Sequence, residues 1–257
     1  RPSEPRWRST GEQLFFLIRD RVLPSLGASA SAWAGLGSLL EGVSGSSGFY
    51  AYIRGAIAVH ATRQLVCFWK EQKSSTEKNQ ATKVIERYLR SEIFPGIEVT
   101  LANQVARLLA QAVNVCDRAI PNGVRNRLLQ GNVNCYICGR TLDPDAKPNS
   151  LDIDAKDDIY PTLEHLWPTS LGGESEIDNI LPACKLCQNR KADAFSWEWF
   201  NIHNTVLPSQ PKTALEHLPW PIRIARHQHH AMELCELEHI SLKSAFIRIG
   251  SIKIPLT

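Results

Sequence analysis

Four of the seven cysteines stand in two C-x-x-C pairs, Cys135-Tyr136-Ile137-Cys138 and Cys184-Lys185-Leu186-Cys187. Each pair presents two thiolates from one tight turn, and two such knuckles brought together complete a tetrahedral four-sulfur set of the kind zinc prefers. Gly139 follows the first pair and eases its turn, and 45 residues lie between the two pairs. The rival readings, a redox dithiol or an iron–sulfur cluster, would need a thioredoxin-like βαβ setting or different spacings. A four-thiolate zinc has no open coordination position, so its expected role is structural. It would clamp a long, loop-rich segment whose few apolar residues cannot build a core alone. Cys67, Cys116 and Cys235 stand singly in apolar helical contexts and read as small buried hydrophobes.

Between the knuckles runs Tyr160-Pro161-Thr162-Leu163-Glu164-His165-Leu166-Trp167-Pro168-Thr169-Ser170-Leu171-Gly172-Gly173. Ile177-Asp178-Asn179-Ile180 follows, and after the second knuckle comes Gln188-Asn189-Arg190-Lys191. Phosphodiester hydrolysis needs a base to take a proton from water and a cation to stabilise charge on the phosphorane and the leaving oxygen. His165 is the natural base, because an unperturbed imidazole titrates at about 6.5. Its neighbour Glu164, on the other side of a strand, offers a hard oxygen suited to Mg²⁺ or Mn²⁺.

These segments together resemble the HNH, or ββα-metal, nuclease family. The matching pieces are an acidic residue before His165, Pro168 three places after it, the Gly172-Gly173 turn, the Asn179-Ile180 pair, and a second knuckle running into a helix that carries Lys191. The likeness covers roughly residues 132 to 200. It implies that Asn179 hydrogen-bonds the loop after His165 and fixes the imidazole. It also implies a further ligand for the catalytic metal directly after the last knuckle cysteine, where the family has His or Asn. Gln188 stands there with Asn189 next to it, and a helix turns about 100° per residue, so only one of the two should face His165. Arg190 and Lys191 are candidates for phosphate contacts. Small HNH proteins fused to helical regions also resemble effectors of bacterial anti-phage systems such as Zorya or Septu, and restriction enzymes. The implied activity is a metal-dependent DNA endonuclease with structural Zn²⁺, catalytic Mg²⁺ or Mn²⁺, DNA as partner and other proteins of a defence system as further partners. A zinc-containing nucleic-acid-binding or adaptor module whose site no longer cuts is the alternative.

The elements that must position these groups differ in texture. Residues 1 to 130 read as a helical region, with apolar residues three and four apart in Leu14-Phe15-Ile18-Val22, Ile53-Ile57-Ala61-Leu65-Phe68 and Leu101-Val105-Leu108-Leu109-Val113. Breaks are expected at Pro24, at Gly42 to Gly48, at Ser74-Ser75-Thr76 as a candidate cap, and at Pro95-Gly96. Residues 131 to 203 read as the HNH unit: strands around Ile159 to Leu166 and Ile180 to Leu181, then a helix from Lys185. Residues 204 to 257 read as a helical tail that starts at Trp220-Pro221 and packs back on the N-terminal helices. The expected fold class is mainly α with a small α+β insert. Trp197, Trp199 and Phe200 read as core, and His227, His229 and His230 as a polar helix face.

With 43% hydrophobic and 21% charged residues, the chain has the make-up of a globular protein rather than a disordered one. No apolar run is long enough to span a bilayer. The stretch from Ala28 to Leu40 is short and weakly hydrophobic, and no signal-peptide pattern precedes it. With the cysteines read as a metal site, a reducing, cytoplasmic setting is expected. Because the chain begins at Arg1 and not Met, some N-terminal residues are expected to have been removed or to fall outside this numbering. The net charge of +3 is uneven: residues 1 to 130 carry 17 Lys/Arg against 10 Asp/Glu, whereas residues 131 to 200 carry 6 against 12. A bound polyanion would therefore draw on the flanks, with Arg87, Arg90, Arg125 and Arg127 as candidates. The acidic Asp143, Asp145, Asp152, Asp154, Asp157 and Asp158 read as a solvated insertion.

Overall fold

A computed structural model describes residues 9–26, 46–77, 79–116, 119–145, 159–192, 195 and 220–252, with the backbone alone at 46–51 and 221–222. The stretch from Ala28 to Leu40, the acidic Asp152, Asp154, Asp157 and Asp158, and Trp197, Trp199 and Phe200 lie outside the described residues.

Helix α1 (Thr10–Leu17) begins at a reciprocal cap, as the Glu12 amide donates to Ser9 Oγ at 3.3 Å and the Ser9 amide to Glu12 Oε2 at 2.7 Å. It continues through a π-helical turn, Ile18–Val22. Helix α2 (Ser46–Gln72) starts inside the Gly/Ser stretch expected as a break. It buries Ala58, Thr62, Leu65 and Trp69 along one stripe. The helix breaks at the expected Ser74-Ser75-Thr76, where the hydroxyls of Ser75 and Thr76 donate to the Gln72 carbonyl at 3.0 and 2.9 Å and close α2. Helices α3 (Ala81–Tyr88) and α4 (Val99–Val115) follow, the latter burying Leu101, Val105, Leu109 and Val113. Helix α5 (Asn122–Leu128) buries no residue at all.

Strand β1 (Pro161–His165) pairs antiparallel with β2 (Ile180–Cys184), setting Glu164 opposite Leu181 and His165 opposite Ile180. Helix α6 (Lys185–Lys191) leaves β2 without a loop, and α7 (Trp220–Glu238) and α8 (Leu242–Ile249) complete the described chain. The molecule is thus mainly helical with one two-stranded sheet. Among the described residues no helix is long and apolar enough to cross a membrane.

The loop between β1 and β2 reaches into the core of the N-terminal helices, where Leu166, Trp167 and Leu171 join Leu14, Phe15, Leu65 and Leu109. Trp167 meets Phe15 and Phe195 edge to face at 5.4 and 4.7 Å, and its Nε1 donates to the Leu171 carbonyl at 3.0 Å. Gly172 adopts φ +82°, and a Cβ at Gly11 would come within 2.6 Å of the Gly172 carbonyl oxygen. Two polar ties cross the same seam: Lys70 Nζ donates to the Thr169 carbonyl at 2.9 Å and the Thr10 amide to Glu174 Oε1 at 3.1 Å. The helical region and the sheet therefore share one core across residue 130.

The C-terminal helices bridge both parts. Arg19 holds Glu236 with two bonds of 2.9 and 2.8 Å, while Ile224 packs among Cys135, Ile137 and Cys187 and the Ile252 amide donates to the Ile137 carbonyl at 2.7 Å. His227 departs from the expected polar face: it lies against Phe246 and Tyr136, and its Nε2–H donates to the Gly250 carbonyl at 2.6 Å. His229 stays on that face beside Glu233. Cys116 and Cys235 are buried as expected, but Cys67 is exposed on the outer side of α2 next to Glu71.

Two outcomes follow from this packing. Gly11→Ala forces a methyl into the Gly172 backbone and should lower stability by about 1–3 kcal/mol, several degrees in the melting temperature; an unchanged melt would show that the seam is loose. Burial pushes the His227 imidazole down to about 4, against its bond to Gly250. A histidine with a depressed folded pKa contributes stability above its unfolded pKa, and that contribution is lost as pH falls from about 6.5 toward 4. Melting temperature should fall through that window, and His227→Gln should flatten the slope. Parallel profiles for the two proteins would remove His227 as the cause.

Candidate metal centre and adjoining groove

Cys135, Cys138, Cys184 and Cys187 are all buried, and their sulfurs lie within 4.8 Å of one another, a cluster that could hold a metal ion. The first knuckle is closed by the Cys135 amide donating to the Arg140 carbonyl at 2.9 Å and the Gly139 amide to the Cys135 carbonyl at 2.8 Å. Gly139 itself sits at φ +77°, in the left-handed region that suits glycine. The second knuckle is the β2–α6 junction, where Cys184 caps the helix by accepting from the Cys187 amide at 3.4 Å. The knuckles meet through the Tyr136 amide, which donates to the Pro182 carbonyl at 3.0 Å, and through the 3.8 Å approach of Cys138 Sγ to Cys184 Sγ.

Hydrogen bonding from Cys135, reinforced by Cys187, pulls the Cys184 thiol down to about 7 despite burial, and Cys138 is lowered in the same way. The donors Cys135 and Cys187 are raised in return. A divalent cation held by these four sulfurs would displace their protons. Four sulfurs and no carboxylate or imidazole among them make a soft, closed donor set that fits zinc in a structural role.

Glu164 and His165 point to opposite faces of β1. Glu164 is buried and paired with Lys191, whose Nζ lies 2.6 Å from Glu164 Oε1 and 3.2 Å from the His165 carbonyl. Lys191, expected to meet phosphates, is instead only 1% exposed, because the last turn of α6 carries it beneath the strand. Arg190 lies over the Trp220 ring at 5.5 Å. His165 is half-buried, with Nε2 2.9 Å from Ser175 Oγ, a partner that nothing in the sequence singles out. Asn179 braces the loop after His165 from both ends of its amide: Oδ1 accepts from the Trp167 amide at 2.7 Å, and Nδ2 donates to the Trp167 and Glu174 carbonyls at 3.0 and 2.8 Å.

His165, Gln188 and Asn189 line one open groove of about 990 Å³, with Asn122 and Arg125 of α5 on the facing wall. Both amide residues reach it, whereas the sequence left one to be chosen. Gln188 is the more tightly fixed, as its Nε2 donates to the Leu163 carbonyl at 3.1 Å. One carboxylate and two amides suit a hard divalent cation in donor type, and such a cation would have to share the Glu164 carboxylate with the Lys191 ammonium.

Cys184→Ser removes a buried sulfur from the cluster and should abolish bound metal, measured by elemental analysis of the purified protein, and lower the melting temperature. Full metal content and an unchanged melt would show that the four sulfurs do not act together. Compared with known protein families, curated proteins and solved structures, the chain matches none.

Proposed function

We propose that this chain is a zinc-stapled, HNH-type endonuclease that hydrolyses phosphodiester bonds in DNA. The observation that carries the reading is His165, set at the end of β1 on an open groove beside Gln188 and Asn189 of α6, with the following loop locked by Asn179. In this reaction the His165 imidazole takes the proton of an attacking water, the new P–O bond forms, and the bond to the leaving oxygen breaks. Ser175 orients the ring, and Asn179 keeps the backbone after it from shifting. Glu164 with Gln188 or Asn189 would hold Mg²⁺ or Mn²⁺, which supplies charge stabilisation on the phosphorane and leaving oxygen. A role in bacterial anti-phage defence follows from the sequence resemblance alone.

A second reading is a zinc-containing nucleic-acid-binding or adaptor module that does not cut. The buried Lys191–Glu164 pair favours it, since that carboxylate is already neutralised by an ammonium.

Supercoiled plasmid incubated with Mg²⁺, Mn²⁺ or chelator separates the two. The wild-type protein should cut only with a divalent cation, and His165→Ala should cut roughly 10² to 10⁴ times more slowly while keeping its zinc and melting temperature. If His165→Ala cuts normally the assignment of the base is wrong, and if the wild type binds DNA without cutting under any condition the second reading stands.

A further inference from the structure

The groove at His165 does not end there. A second hollow of about 470 Å³ adjoins it at the start of β1, where Arg125, Tyr160 and Pro161 line both. The combined channel follows the strand from His165 back to Tyr160, roughly 17 Å at about 3.3 Å per residue. Its far wall is α5, which buries no residue and carries Arg125 and Arg127 in its last turn with no acidic residue in its first. A helix without a core-facing stripe is not held in place by burial alone, which leaves its polar face available for another role. Arg125 is exposed and makes no ion pair among the described residues. Among the described residues that line the groove the one carboxylate, Glu164, is paired with Lys191, so the charge those residues leave unbalanced is the Arg125 guanidinium. Tyr160 lines both hollows and is half-buried, with its backbone held by the Lys185 amide, which donates to its carbonyl at 3.0 Å.

We propose that a single nucleic-acid strand runs along β1 through this channel, with Arg125 holding a backbone phosphate, Tyr160 carrying a base, and the adjoining phosphodiester lying at His165. Hollows of about 990 and 470 Å³ fall in the range of about 300–1,000 Å³ typical of sites that enclose a ligand. A guanidinium on the backbone and an aromatic face for a base are the two elements of sequence-tolerant single-strand binding. The proposal rests on the nuclease reading only for the placement of the phosphodiester at His165; the binding channel itself is independent of cleavage.

The test is fluorescence anisotropy with a labelled oligothymidylate and a labelled duplex, in buffer without added Mg²⁺ or Mn²⁺, across a salt series. Arg125→Ala should weaken oligothymidylate binding about five- to tenfold and reduce the slope of log K against log salt by about 0.7, one phosphate contact on a single strand. Tyr160→Ala should weaken it roughly tenfold with the salt slope unchanged. Lys83→Ala, at an exposed cation on α3 outside the groove, should leave both quantities as in the wild type. Equal effects of Lys83→Ala and Arg125→Ala, no effect of Arg125→Ala, or tighter binding of duplex than of oligothymidylate would each overturn the proposal. Arg125-dependent binding with no cleavage of either plasmid or oligothymidylate once Mg²⁺ or Mn²⁺ is added would remove the nuclease reading and keep the channel, and cleavage without Arg125-dependent binding would do the reverse.

Discussion

Cys184 is at once the last residue of β2, the cap of α6 and a member of the four-sulfur cluster, and the geometry of the whole site depends on that coincidence. With the sulfur fixed by its neighbours, α6 has one direction relative to the sheet. That direction lays Gln188 against the Leu163 carbonyl and returns Lys191 beneath β1 to Glu164. Two short strands and a helix of seven residues bury too little apolar surface to hold this arrangement alone. The four-sulfur cluster at one end, which a bound metal would tighten, and the Glu164–Lys191 pair at the other take the place of a core. The pair carries a cost of its own, because either charge left unpartnered at that depth would strongly destabilise the fold.

A second constraint fixes the other end of the hairpin. Asn179 ties down the start of the loop that follows His165, and the Gly172 turn lets that loop approach the backbone of α1. Trp167 then fills the space between Phe15 and Phe195. The helices are therefore the wall against which the site is built, not a tethered neighbour. A substitution in α1 or α2 can displace His165 without touching it, as the Lys70 and Thr10 bonds to the same loop make plain.

The elements legible in the sequence were those with a strong local signature. Two C-x-x-C pairs specify their own turns, Pro221 marks the start of α7, and the 3.6-residue pattern of α4 is regular enough to place its buried face. Where the reading missed, the deciding contact was remote in sequence. Lys191 looks like a surface cation until β1 is placed over it, and Ser175 is one serine among many until the loop folds it onto His165. His227 sits in a run of polar residues, and only the packing of α7 on the first knuckle and α8 encloses it. The groove wall at α5 was not legible, since a short helix with no buried face carries no periodic signal.

The central claim is that four sulfurs from two distant knuckles close on one zinc ion and thereby set the hairpin and α6. X-ray absorption at the zinc edge of the purified protein measures this most directly. The account predicts one zinc per chain with a first shell of sulfur only, at about 2.3 Å. A first shell containing nitrogen or oxygen ligands, or a folded chain without zinc, would contradict it.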